Sequence, residues 1–112
     1  MYGIEVWGVT KGLSGDPRLA GLYMQAGFAG CADSRVANLS GIKEAGVRAR
    51  LQMIRIAMPS ELEDLARVAD VSLQSEVSTI KALDAVCSSL GVTHDVLLMT
   101  DAGDLREGFW ET

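Results

Sequence analysis

The chain has 112 residues, 48% of them hydrophobic and 22% charged, with a net charge of −5. That length fits one domain, and its ten basic residues are scattered singly, whereas a nucleic-acid surface needs clustered Lys and Arg. No apolar run reaches the roughly 18 residues of a membrane span, and Met1 to Glu5 lacks the basic and apolar regions of a secretory leader. A soluble cytoplasmic protein is therefore expected, with neither nucleic acid nor membrane among its partners.

Strand and helix patterns alternate along the chain. Ile4 to Val9 is an apolar, β-branched run ending at Thr10-Lys11. A turn (Gly12-Leu13-Ser14-Gly15) leads to Asp16-Pro17, a helix start in which the proline occupies a position whose N–H has no helical partner. Leu19, Leu22, Tyr23 and Ala26 fall on one face of that helix, and Gly27 ends it. A second strand at Gly30 to Ala32 turns at Asp33-Ser34 into a helix carrying Val36, Leu39 and Ile42, which stops near Gly46. The third strand spans about Leu51 to Ala57. Ser60 and Glu63 have the spacing of a capping box, ahead of the apolar stripe Leu62, Leu65, Ala66 and Ala69. Val71 to Leu73 forms a fourth strand, followed from Ser75 by a helix with Val77, Ile80, Leu83, Cys87 and Leu90, closed by Gly91. Val96 to Met99 reads as a fifth strand, and Asp101 to Gly108 as a loop.

Five strands separated by four helices imply right-handed crossovers and a parallel sheet. Two architectures compete: an open doubly wound sheet, complete at this length, and the first part of a (β/α)₈ barrel, which needs roughly 250 residues. In both, ligands bind at the carboxyl ends of the strands. Those ends offer Thr10-Lys11, Asp33-Ser34-Arg35, Arg55 with Met58, Ser72-Gln74-Ser75-Glu76, and Asp101 with Asp104, Arg106 and Glu107.

Lys11 follows an apolar strand and precedes a glycine turn. An amine pointing into the mouth of the sheet would be partly desolvated, which favours the neutral form that attacks an aldehyde; the competing reading is a solvated loop lysine. Arg106 is suited either to hold a phenolate or carboxylate through paired N–H bonds or to pair on the surface with Asp104 or Glu107. Asp33, Ser34 and Arg35 suit helix capping equally well. His94 precedes the fifth strand, at the end of the sheet opposite the ligand side, and reads as a surface residue. Cys31 and Cys87 have no Cys-x-x-Cys partner and no nearby histidine, so two buried reduced thiols are expected and a metal site is not. No GxGxxG or Walker pattern is present.

Taken in order, these strand ends resemble the alanine/ornithine racemase family of enzymes that use pyridoxal 5'-phosphate (PLP). Gly8-Val9-Thr10-Lys11 is similar to the family strand that ends in the Schiff-base lysine. Asp33-Ser34-Arg35-Val36-Ala37-Asn38 resembles its Asp-Ser-Arg-x-x-Asn turn, and Ser72-Leu73-Gln74-Ser75-Glu76 its Ser-Leu-Asn-Ser-Glu segment. Asp101-Ala102-Gly103-Asp104-Leu105-Arg106-Glu107-Gly108 is similar to its Asp-Leu-Gly-Asp-Leu-Arg-Glu-Gly loop. Gln74 stands where the family has asparagine, Ala102 where it has leucine, and Pro59 is shifted relative to an Arg-x-Pro-Met pattern.

The resemblance implies an α/β chain that forms part of an alanine-racemase-type (β/α)₈ TIM barrel, about five βα units with parallel strands. Residues 1–112 would then be a piece of the PLP-binding barrel domain, truncated at both ends. The implied activity is racemisation of a small amino acid through a Lys11 Schiff base, with Lys11 also moving a proton at the substrate Cα. Lys11, Arg106, Asp33, Ser34 and Ser72 are the implied cofactor-binding residues, with Arg106 directed at the phenolic oxygen of PLP. The full-length parent is expected to be a homodimer. The phosphate site, the pyridine-nitrogen partner and the second catalytic base are expected outside this chain, which alone would then have little or no activity. The alternative on the same barrel is a non-catalytic PLP-binding protein of cofactor homeostasis.

Overall fold

A computed structural model describes residues 3–99. Five strands, β1 (Trp7–Val9), β2 (Gly30–Asp33), β3 (Arg50–Met53), β4 (Val71–Gln74) and β5 (Asp95–Leu98), alternate with four helices. These are α1 (Pro17–Gln25), α2 (Val36–Glu44), α3 (Leu62–Val68) and α4 (Val77–Leu90). All neighbouring strands pair in parallel, in the order β1-β2-β3-β4-β5.

That order decides between the two architectures. A doubly wound sheet reverses its direction of growth at a switch point, so its strands are not in chain order. Here each strand is laid beside its predecessor, the winding of a (β/α)₈ barrel. Right-handed crossovers that always step the same way put every helix on one side of the sheet, and successive helices pack against each other along it.

The two faces of the sheet differ accordingly. The register places Gly8, Cys31 and Leu51 in one row and Met53, Ser72 and Val96 in another. This face meets Ala20, Leu39, Ile42, Leu65, Leu83 and Cys87 from the helices in one buried cluster. Each fully buried Leu or Ile in it contributes about 1.5–3 kcal/mol. The other face carries Val9, Ala32, Val71, Leu73 and Leu97, with Val9 42% and Leu97 50% exposed.

Helix ends follow local chemistry. The Asp16 carboxylate accepts the Arg18 N–H at 2.9 Å ahead of Pro17. Gly91, at φ +69°, closes α4 in the left-handed conformation, and the Val92 N–H returns to the Cys87 carbonyl at 3.0 Å. The start of α3 departs from the expected box at Ser60 and Glu63. Pro59 opens a short 3₁₀ turn (Pro59–Glu61), so Glu61 reaches back to the Met58 N–H at 2.9 Å. Glu63 instead pairs with Arg67 one helical turn on, at 2.9 Å. The third strand is also shorter than expected. After the Ile54 N–H bonds the Asp33 carbonyl at 3.0 Å, Arg55 turns to bridge the Ser34 carbonyl (2.9 Å) and the Glu61 carboxylate (2.9 Å).

Candidate functional site

The carboxyl end of β1 is built around Thr10. Its N–H completes the ladder to the Ala32 carbonyl at 2.9 Å, but its backbone (φ −101°, ψ −6°) has already left the extended region. Its own carbonyl then accepts from both Leu13 (3.1 Å) and Gly15 (3.0 Å), winding Lys11–Leu13 into one 3₁₀ turn. Ser14 closes the turn at φ +54°, a left-handed conformation uncommon for a non-glycine residue. Gly15 follows at φ +69° and lies so close to Asn38 of α2 that a Cβ would sit 2.4 Å from the Asn38 Cβ. Lys11 rides on this turn and is exposed. The desolvation expected at the strand end is not supplied by the described residues.

Thr10 and Asp33 are both fully buried. The Thr10 hydroxyl donates to Asp33 Oδ2 at 2.7 Å, while Asp33 Oδ1 accepts the Arg35 N–H (3.0 Å) and the Asn38 amide (3.1 Å). A buried carboxylate is costly without such donors, and here three of them converge on it. Asp33 thus spends both oxygens inside the helix-facing layer, tying β2 to α2 and to the start of the Lys11 turn. Ser34 is different. It lies at the same edge as Lys11, two residues past Ala32, the strand partner of Val9. It is half-buried, and its carbonyl is held by Arg55. The structure therefore brings Lys11 and Ser34 to one edge, with Asp33 bonded behind them.

Ser72 is not brought to that edge. It is fully buried within β4 in the row with Met53 and Val96, facing the helices. His94 Nδ1 lies 3.1 Å from the Ala69 carbonyl, an acceptor only, so Nδ1 carries the proton. Nε2 then accepts from the Ser72 hydroxyl at 2.7 Å, and Ser72 Oγ accepts from the Gln74 amide at 2.9 Å. Burial holds the His94 pKa below its ordinary value, against the opposing pull of the Ala69 carbonyl, Asp70 and Asp95. His94 is therefore a half-buried bridge between β4 and β5 and not the surface residue expected from the sequence. The signal that could have located it was its position immediately before a strand, two residues ahead of Val96 and on the same face, from which its ring reaches Ser72, the register partner of Val96.

A groove of about 460 Å³ lies between α4 and β5, lined among others by Ile80, Leu83, Cys87 and His94. These residues belong to the helix side of the sheet, so the groove is separate from the Lys11 edge. Cys31 and Cys87 are buried free thiols whose pKa values burial raises. Arg106 and the loop from Asp101 to Gly108 lie outside the described residues. No helix among the described residues is long and apolar enough to cross a membrane.

Comparison with known proteins agrees with this architecture. Residues 2–112 match the family model for the alanine racemase N-terminal domain. The chain is 42% identical over 80 residues to ornithine racemase of Acetoanaerobium sticklandii, covering 71% of this chain and 22% of that protein. It is 35% identical over 108 residues to lysine racemase of Thermotoga maritima, covering 96% and 30%. The chain thus spans less than a third of the length of these relatives. Among solved structures, alanine racemase of Clostridium difficile 630 superposes with a TM-score of 0.86 at 19% identity, over 98% of this chain and 30% of that one. PipY of Synechococcus elongatus PCC7942, solved with PLP bound, superposes at 0.83 and 12% identity, over 99% and 52%. At such identities the two structures speak for the fold: five parallel βα units of an alanine-racemase-type barrel. With the family model matched over almost its whole length, the chain belongs to the alanine racemase N-terminal domain family.

Proposed function

We propose that Lys11 is the amine that holds pyridoxal 5'-phosphate in a racemase interconverting the L and D forms of a small amino acid. The observation that carries this reading is the position of Lys11. It stands exposed at the carboxyl end of β1 on a turn held by backbone bonds to Thr10. A planar pyridine ring fits this edge, because the face beside it is apolar, with exposed Val9 and the small Ala32 next to it.

When bound, PLP supplies an electron sink for negative charge at the substrate Cα. The chain's own part is to hold the ring and move the proton. Lys11 would hold the cofactor through its amine, and that amine would exchange the proton at the substrate Cα. Ser34 offers a hydroxyl at the same edge, and Arg106, which lies outside the described residues, would by the family resemblance pair with the phenolic oxygen. The ornithine and lysine racemases named above favour a basic amino acid as substrate. The working protein is a cytoplasmic homodimer in this reading.

The test is to mix the full open reading frame that carries this chain with PLP, reduce with borohydride and map the labelled peptide. Label is expected on Lys11; label on any other residue, Lys43 and Lys81 of this chain included, overturns the assignment. A racemisation panel of ornithine, lysine, alanine and serine then follows. Turnover of at least one supports the enzyme, and cofactor capture without any turnover favours a PLP carrier.

A further inference from the structure

We propose that Thr10 and Asp33 form a positioning pair that sets the direction of the Lys11 amine, with Asp33 acting through Thr10 and not by touching the cofactor. The inference rests on Lys11 being the cofactor lysine and goes beyond it, by naming what aims that lysine.

Four observations converge. The Thr10 hydroxyl to Asp33 Oδ2 bond is short, 2.7 Å, and both residues are fully buried. A hydrogen bond to a charged group shielded from water is among the stronger ones available to a side chain. Asp33 is itself fixed from behind by the Arg35 N–H and the Asn38 amide, so it cannot follow a moving Thr10. Thr10 is the residue at which the strand becomes the turn, since its N–H belongs to the sheet and its carbonyl to the 3₁₀ winding. Finally, Gly15 seats the far end of the turn against Asn38, the same side chain that grips Asp33. Lys11 is therefore held between two fixings that share one partner on α2. A long flexible lysine chain has its root fixed here, which narrows the arc its amine sweeps and lowers the entropy lost when it must meet an aldehyde or a Cα proton.

The experiment uses the full open reading frame with Thr10→Val, which keeps shape but loses the donor, Thr10→Ser, which restores it, and Asp33→Asn. Two readouts are taken. One is the rate at which the cofactor-free protein captures PLP, followed by borohydride trapping at Lys11; in the capture a C–N bond forms and one water leaves, and the reductant then adds hydride at carbon. The other is kcat and KM for the amino acid that the wild type turns over. Thr10→Val is expected to label at Lys11 but about 10-fold more slowly, and to lose kcat about 10- to 100-fold with KM changed less than about threefold. Asp33→Asn should fall between Thr10→Val and wild type, and Thr10→Ser should recover most of the loss. Capture and kcat within about twofold of wild type in Thr10→Val overturn the proposal. So does an equal loss in Thr10→Val and Thr10→Ser that tracks a lowered melting temperature, because that is a purely structural role. If Thr10→Val does not fold, Asn38→Ala replaces it: it removes one grip on Asp33 and should slow capture roughly threefold, and an unchanged rate overturns the pair. Absence of label on wild-type Lys11 defeats the cofactor reading and this proposal with it, whereas a labelled Lys11 with unaffected variants defeats the pair alone.

Discussion

At the scale of single residues, the described chain spends its buried polar groups on two clusters, one on the β1–β2 side of the sheet and one on the β4–β5 side. One is Thr10–Asp33–Asn38 behind Lys11; the other is His94–Ser72–Gln74 between β4 and β5. The second cluster makes a pH prediction. Burial lowers the His94 pKa, so between that value and about 6.5, its ordinary one, the folded chain binds fewer protons than the unfolded chain. Stability contributed by neutral His94 is then complete above about pH 6.5 and is lost as pH falls through the folded pKa. Urea midpoints at about pH 7.5 and about pH 5.5 should fall further apart in the wild type than in His94→Gln. Equal differences in the two proteins would remove His94 from the explanation. Carboxylate titration is common to both proteins and cancels in the comparison.

At the scale of elements, the contact of α1 with β1 turns on a missing Cβ. A side chain at Gly8 would lie 2.3 Å from ring carbons of Tyr23. That ring stacks on Phe28 with centroids 4.9 Å apart, and its hydroxyl donates to the Val9 carbonyl at 3.0 Å. Gly8→Ala is expected to push the ring off β1 and cost about 1–3 kcal/mol, measured by chemical denaturation; a loss below about 0.5 kcal/mol would mean that the helix shifts freely. Nothing in the sequence pairs Gly8 with Tyr23, since the contact depends on the helix crossing angle. What could be read beforehand was periodicity and punctuation. Pro17, Gly27, Gly91 and the stripe Leu62, Leu65, Ala66, Ala69 lie where spacing put them, because local chemistry decides caps and faces. Apart from the start of α3, where Pro59 moves the capping box to Met58 and Glu61, the misjudged features involve partners distant in sequence. Arg55 ends β3 early by reaching Ser34, 21 residues back, and Ser72 and His94 meet across 22 residues. In the candidate site, the strand-end position of Lys11 was legible, but the inward turn of Asp33 was not. A turn aspartate can cap, bind a ligand or clamp a hydroxyl with the same sequence around it.

At the scale of the whole molecule, the five described strands leave β1 and β5 each with one unpaired edge, and a sheet face with exposed Val9 and Leu97. Leu98 on β5 is exposed as well. Open edges next to apolar side chains invite pairing with another chain. Residues 1–112 expressed alone are therefore expected to associate as concentration rises, seen by light scattering. A monodisperse monomer across a wide concentration range would show that these edges are protected by segments outside the described residues. The strand order itself has a further consequence, for synthesis. Because each of the five described strands from β2 on lies beside the one made just before it, none of these five has to be inserted between two that are already paired. Contacts stay short in sequence, which favours rapid folding. The described part of the chain can also assemble unit by unit as it leaves the ribosome, each strand from β2 to β5 adding to the edge left by the one before it.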